Sequence, residues 1–65
     1  MAIADLNSAI KLDPNYPEAW GNRGMCYSAL NQYDLAIADF TKAVKVDPNY
    51  AKGYLDRGIA YNKMI

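Results

Sequence analysis

The tetrapeptide Asp13-Pro14-Asn15-Tyr16 returns unchanged as Asp47-Pro48-Asn49-Tyr50, 34 residues later. The same offset aligns Ala2-Ile3-Ala4-Asp5 with Ala36-Ile37-Ala38-Asp39. It also aligns Ala9 with Ala43, Lys11 with Lys45, Arg23-Gly24 with Arg57-Gly58, and Tyr27 with Tyr61. So many identities on one offset mark an internal repeat, and a period of this length constrains the fold more than any local propensity does. Each copy is one supersecondary unit that cannot bury its apolar face alone, so copies stack and form a solenoid.

The segments between the tetrapeptides read as helices. Ile37, Phe40 and Val44 follow the i, i+3, i+7 pattern, with Ala36 and Ala43 beside them, while Asp34, Thr41, Lys42 and Lys45 fall largely elsewhere. That is one buried stripe on a helix. Trp20, Gly24 and Tyr27 repeat the pattern at i, i+4, i+7. Val and Ile do not alternate strictly with polar residues, which argues against strands. Pro48 disfavours the α conformation at Asp47 and so stops the helix before it. Pro17 fits a first helical turn, where its missing N–H costs nothing. Asn15 is expected to cap the following helix, with Glu18 completing a capping box. Asn31 tolerates the left-handed conformation of a tight helix exit. The chain is therefore expected to be all-α, with four helices near 1–13, 17–30, 34–47 and 51–64, joined by turns short enough to force antiparallel neighbours.

Composition limits the chemistry. Seven basic and seven acidic side chains cancel and there is no His. A neutral chain whose basic residues are dispersed has no electrostatic reason to seek nucleic acid or an anionic membrane. No stretch reaches the roughly 18 apolar residues of a membrane span. Cys26 is the only cysteine, which rules out an internal disulfide and a Cys-based metal site. Ser8 and Ser28 lack triad partners, the carboxylates are scattered, and no Gly-rich loop offers a phosphate cradle. No catalytic residue, metal or cofactor is expected; the expected partner is a protein or peptide. With 65 residues, a single core supplies only about 3–5 kcal/mol, so further burial against a partner matters.

Period and residues together resemble the tetratricopeptide repeat. Its pattern W-x2-L-G-x2-Y, A-x3-F, P is met by Trp20, Gly24, Tyr27, Ala36, Phe40 and Pro48. The following copy supplies Tyr54, Gly58 and Tyr61, and the preceding one Ala2, Leu6 and Pro14. Arg23 and Arg57 stand where the pattern has Leu. The resemblance implies an antiparallel helix-turn-helix solenoid that acts as a protein-interaction scaffold. In its phasing a repeat begins at Pro17 with a helix called A and continues with a helix B from about Tyr33. Residues 17–50 are then one complete repeat, 1–16 a half repeat carrying helix B, and 51–65 a half repeat carrying helix A.

The resemblance also implies that A-helix residues line a concave, peptide-binding face. The corresponding positions are Glu18, Asn22, Met25 and Ser28, then Lys52, Leu55, Asp56, Ile59, Asn62 and Lys63. A subset of the family clamps a terminal carboxylate with several Lys, Arg and Asn. Asn22 matches one such position, but Met25, Asp56 and Ile59 do not suit the others. Helical repeats that bind RNA would need basic residues on this face, and it is mixed and nearly neutral.

The unpaired end helices suggest an alternative role, self-assembly into a homo-oligomer. The stripe Tyr54, Gly58, Tyr61, Met64 and Ile65 is the surface a B helix would cover, and Ala2, Leu6 and Ala9 form the surface an A helix would cover. Arg23 and Arg57 have two readings. They pair structurally with Asp5, Asp39 or Asp56, the reading we favour, or they bind an anion in the groove.

Overall fold

The computed structural model describes residues 3–64. Four helices follow one another: α1 Ile3–Leu12, α2 Pro17–Ala29, α3 Tyr33–Val46 and α4 Ala51–Met64. The expected all-α architecture is present, each inner boundary lying within a residue or two of its expected place. Residues 1 and 2, assigned to the first helix and including the motif position Ala2, and Ile65, assigned to the open stripe after α4, lie outside the described residues.

The turns explain the boundaries. Asp47 is extended (φ −133°, ψ 99°) because Pro48 follows it, and α3 stops at Val46. Each Asp-Pro-Asn-Tyr segment then closes on itself. Tyr16 donates its backbone N–H to the Asp13 carbonyl at 3.2 Å, and Tyr50 to that of Asp47 at 3.0 Å. The aspartate side chain adds a second clamp, since Asp13 Oδ1 accepts the Asn15 N–H and Asp47 Oδ1 that of Asn49. Repetition of both bonds shows why Asp recurs here: its carboxylate substitutes for a backbone acceptor in the turn.

This corrects the expected cap. The N-cap of α2 is Tyr16, with no side-chain cap hydrogen bond, and Pro17 opens the helix. Asn15 stands one residue ahead of the N-cap, so its side chain does not cap, and its backbone N–H, which a box with Glu18 would use, donates to Asp13 instead.

Asn31 is left-handed as expected, at φ 62°. It donates to Ser28 O at 3.0 Å while Gln32 donates to Tyr27 O at 2.9 Å. Those two bonds satisfy the last carbonyls of α2 in a Schellman exit. Tyr33 then donates its hydroxyl to Asn31 Oδ1 at 2.9 Å, holding the turn into α3.

Helix α3 lies at the centre. Its predicted stripe is buried, with Ala36, Ile37, Phe40, Ala43 and Val44 all interior. Phe40, Ala36, Ile37 and Ala60 of α4 form one cluster, with Tyr27 and Tyr33 packed on its edge. Small residues let these axes approach. A Cβ placed on Gly24 would lie 2.7 Å from Phe40 Cε1, and one on Gly53 would lie 2.7 Å from Val44 Cγ1. Burial rather than propensity holds the chain, since a helix-interior Gly costs about 1 kcal/mol relative to Ala. Helix α2 packs on α3 and α1, and meets α4 side by side. That last contact brings together the two helices expected to line a concave face.

Candidate interaction surfaces

Two surfaces follow from this stacking. The first lies between the A-type helices α2 and α4. Met25, Ser28, Phe40, Asp56 and Ile59 enclose a groove of about 180 Å³. Phe40 reaches it from behind as an apolar floor; Met25 and Ser28 come from α2, Asp56 and Ile59 from α4. A second groove of about 260 Å³ is lined by Leu6, Asn22, Met25 and Cys26. Shifting Leu6, Asn22 and Met25 by one period gives Phe40, Asp56 and Ile59. The two grooves are therefore one feature repeated along the solenoid, with a B-helix side chain as floor and A-helix side chains as walls.

Of the residues expected on the concave face, Met25, Ser28, Asp56 and Ile59 come together in the first groove, and Asn22 joins Met25 in the second. Glu18, Lys52 and Lys63 are exposed and line neither. Leu55 and Asn62 join Ile59 on the outer side of α4 instead. Cys26 and Phe40 were not expected at this surface. The period could have found both, since Cys26 is the neighbour of Met25 along α2 and Phe40 is the equivalent of Leu6.

Tyr50 sets the width of the concave face. Its ring is wedged between α2 and α4: a Cβ on Gly21 would lie 3.0 Å from Tyr50 Cε2, and one on Gly53 2.9 Å from Tyr50 Cδ2. Burial pushes the phenol above its ordinary value, and the negative charges of Glu18 and Asp56 and the neighbouring Tyr16 add to the rise.

The arginines separate into two situations. Arg23 forms a bidentate bridge with Asp39, Nε to Oδ2 at 2.8 Å and Nη2 to Oδ1 at 2.7 Å, while Nη1 donates to Asn7 Oδ1 at 2.8 Å. Asp39 is buried, and the Arg23 side chain is 19% exposed. Its guanidinium also lies 5.1 Å from the Trp20 ring centroid and 5.8 Å from that of Tyr27. The hydrogen bond to Asp39 raises its pKa despite the opposing effect of burial. Arg23 is thus a structural tie from α2 to α3 and α1, as favoured from the sequence, with Asp39 as partner rather than Asp5 or Asp56. Arg57 keeps only the equivalents of the lesser contacts: a 3.4 Å bond to Thr41 Oγ1 and a stack 5.5 Å from the Tyr54 centroid. Asp5, the repeat equivalent of Asp39, is exposed and makes no ion pair among the described residues.

The second surface is the outer side of α4. Tyr54, Leu55, Gly58, Ile59, Tyr61 and Asn62 line an open depression of about 530 Å³. Gly58 has nothing within 4 Å of where its Cβ would be, whereas Gly24 is covered by Phe40. Tyr54, Tyr61 and Met64 are each about half exposed, at 45%, 51% and 54%. Leu6, expected on the complementary open face of α1, is only 1% exposed. It is already enclosed by its own chain, so it belongs to the core and not to an open surface.

A family model described as Tetratricopeptide repeat matches residues 17–50. No curated protein matches the chain.

Proposed function

Because the chain belongs to the tetratricopeptide repeat family, whose members typically mediate protein–protein interaction, we propose that its concave face binds a peptide segment of a partner protein. The observation that carries this reading is the recurring groove floored by Phe40 and Leu6. Phe40, Met25 and Ile59 offer an apolar seat. Ser28 and Asp56 at its edge offer hydrogen bonds that fix orientation, the usual division of labour in a binding cleft. Glu18 and Asn22 extend the face along α2; Lys52, Leu55, Asn62 and Lys63 extend it along α4. With Asp56 and Glu18 beside Tyr50, the groove suits an apolar side chain flanked by a basic one. The match at 17–50 supports reading those residues as the complete repeat, with 1–16 and 51–65 as halves.

The test is a panel of peptides titrated against isotopically labelled protein, read by NMR. Shifts of Met25, Ser28 and Asp56 that disappear in Met25→Glu and Asp56→Lys, with helicity kept, are the expected result. Peptides that perturb only Tyr54, Tyr61 and Met64, or whose binding ignores both substitutions, would refute the groove.

A second reading has its own observation in the open α4 face at Gly58. This face suits packing by another helix, whether a further unit of the solenoid or a second chain.

A further inference from the structure

Each side-chain carboxylate of the chain is either bonded or exposed, with one exception. Asp13 and Asp47 clamp their turns, Asp34 accepts the Leu35 N–H, and Asp39 is held by Arg23. Asp5 and Glu18 are exposed. Asp56 is half-buried, yet it makes no hydrogen bond or ion pair among the described residues. Taking a carboxylate part of the way out of water costs free energy unless a donor or a cation replaces the lost hydration.

The described fold gives Asp56 no such partner. Helix α4 begins at Ala51, which puts Asp56 past the first turn, and only there would the helix dipole favour a carboxylate. Lys52 stands four residues before it, the less favourable order for an i, i+4 pair, and is exposed without bridging to it. Arg57 turns to Thr41 and the Tyr54 ring instead. What Asp56 does line is the groove of about 180 Å³ between α2 and α4, together with Met25, Ser28, Phe40 and Ile59. The walls of this groove all come from α2, α3 and α4, which pack on one another. Met25 and Ile59 are 44% and 48% exposed, so they present apolar surface to an incoming ligand. One period earlier the position of Asp56 holds Asn22, which lines the equivalent groove. The repeat therefore accepts a neutral side chain of the same shape here, and the charge on Asp56 is not a requirement of the fold.

We infer that Asp56 selects the ligand of this groove: a linear peptide in which an apolar side chain enters between Met25 and Ile59 while an adjoining Arg or Lys sets its cation against the Asp56 carboxylate. The inference rests on the groove reading above and gives it a specificity-determining residue. Volume agrees with one side chain as the anchor, since about 180 Å³ falls below the roughly 300–1,000 Å³ of sites that enclose a whole small molecule. A carboxylate beside the apolar seat also repels an acidic neighbour, so it discriminates against the wrong peptide as well as for the right one. The pair stays partly open to water, and such a pair is worth a preference of about two- to five-fold.

The test uses the blocked peptide acetyl-Gly-Leu-Arg-Gly-amide and the same peptide with Gln or Glu in place of Arg. Each is titrated to millimolar concentration into isotopically labelled wild type, Asp56→Asn and Asp56→Ser, and read by NMR. Asp56→Asn reproduces the residue that the preceding unit carries, and circular dichroism verifies that both variants keep their helices. For wild type the Arg peptide is expected to bind about two- to five-fold more tightly than the Gln peptide, and the Glu peptide more weakly still, with shifts at Met25, Ser28 and Ile59. In both variants the three affinities should converge, and added salt should narrow the wild-type spread. Equal affinities of the three peptides for wild type, with those same groove residues shifted, overturn the role of Asp56 and leave the groove standing. A preference for Arg that survives in both variants overturns it too, and assigns the charge reading to Glu18. Shifts that avoid the groove with all three peptides overturn the groove reading and this inference with it.

Discussion

Gly24 and Gly58 occupy one position of the repeat, on helices of similar length, yet the same substitution should act oppositely at the two. In a helix interior Gly→Ala gains about 1 kcal/mol from the lower entropy of the unfolded chain and better helix propensity. At Gly58 that gain stands alone, because nothing lies within 4 Å of the new Cβ. At Gly24 the Cβ would sit 2.7 Å from Phe40 Cε1 and 2.9 Å from Cδ1. Phe40 is 1% exposed and packed with Ala36, Ile37 and Ala60, so its ring must leave its packed position to admit the methyl. Overpacking of this kind costs about 1–3 kcal/mol, which leaves Gly24→Ala between neutral and about 2 kcal/mol destabilising. The two variants should therefore differ by about 1–3 kcal/mol, with Gly58→Ala the more stable. For a domain of this size 1 kcal/mol moves the melting temperature by about 4–8 °C, so thermal melts at low micromolar concentration resolve the difference. Melts of both variants that move in the same direction and agree within about 0.5 kcal/mol would refute the packing argument.

The other expectations use the same pairing of equivalent residues. Arg23→Leu leaves the buried Asp39 carboxylate without its partner and should cost about 2–4 kcal/mol in urea denaturation, whereas Arg57→Leu, losing a 3.4 Å bond and one ring stack, should stay within about 0.5 kcal/mol. Tyr50 has a folded pKa above its ordinary 10.0, so the unfolded chain releases that proton first. Its stabilising effect is complete below pH 10 and fades as pH rises through the folded value; Tyr50→Phe should remove this part of the alkaline destabilisation and leave neutral-pH stability nearly unchanged. Tyr50→Ala should cost about 2 kcal/mol by opening the space between Gly21 and Gly53, against a few tenths for the exposed Tyr16→Ala. Asn31→Ala should cost about 1 kcal/mol because the left-handed exit at φ 62° disfavours a Cβ and the Tyr33 hydroxyl loses its acceptor, and Asn31→Gly, which loses only the acceptor, should cost less.

The helices and their order were legible because the signals were redundant. Period, apolar spacing and Pro placement all demanded the same four segments, and Asn31 marked the exit of α2 by its tolerance of positive φ. The failures have a common cause. Asn15 was read as a cap two residues before Pro17, but the helix opens at Pro17 itself, which makes Tyr16 the N-cap, and the Asn15 N–H is held by Asp13 in the turn. Leu6 was read as an open contact because its family equivalent faces two A helices. One of those, α2, is enough to enclose a side chain smaller than Phe40. In both places the residue type was informative and the outcome was decided by a neighbour that a pattern does not weigh.

Tyr16 and Tyr50 make that distinction concrete. Both end the same tetrapeptide, both precede an A-type helix, and both donate to an aspartate carbonyl in the same turn. Yet Tyr16 is 45% exposed, while Tyr50 is wedged between Gly21 and Gly53. The local sequence fixes the turn and aims the ring; only an A helix on the preceding side gives the ring something to fill. Gly58 lacks its Phe40 and Asp5 its arginine in the same sense. Each is a residue whose chemistry is complete only in the company of the next unit along the solenoid. The residue pattern of the α2–α3 interface thus recurs on α4 and α1, where the same residue types stand without the neighbour that buries them in the complete repeat.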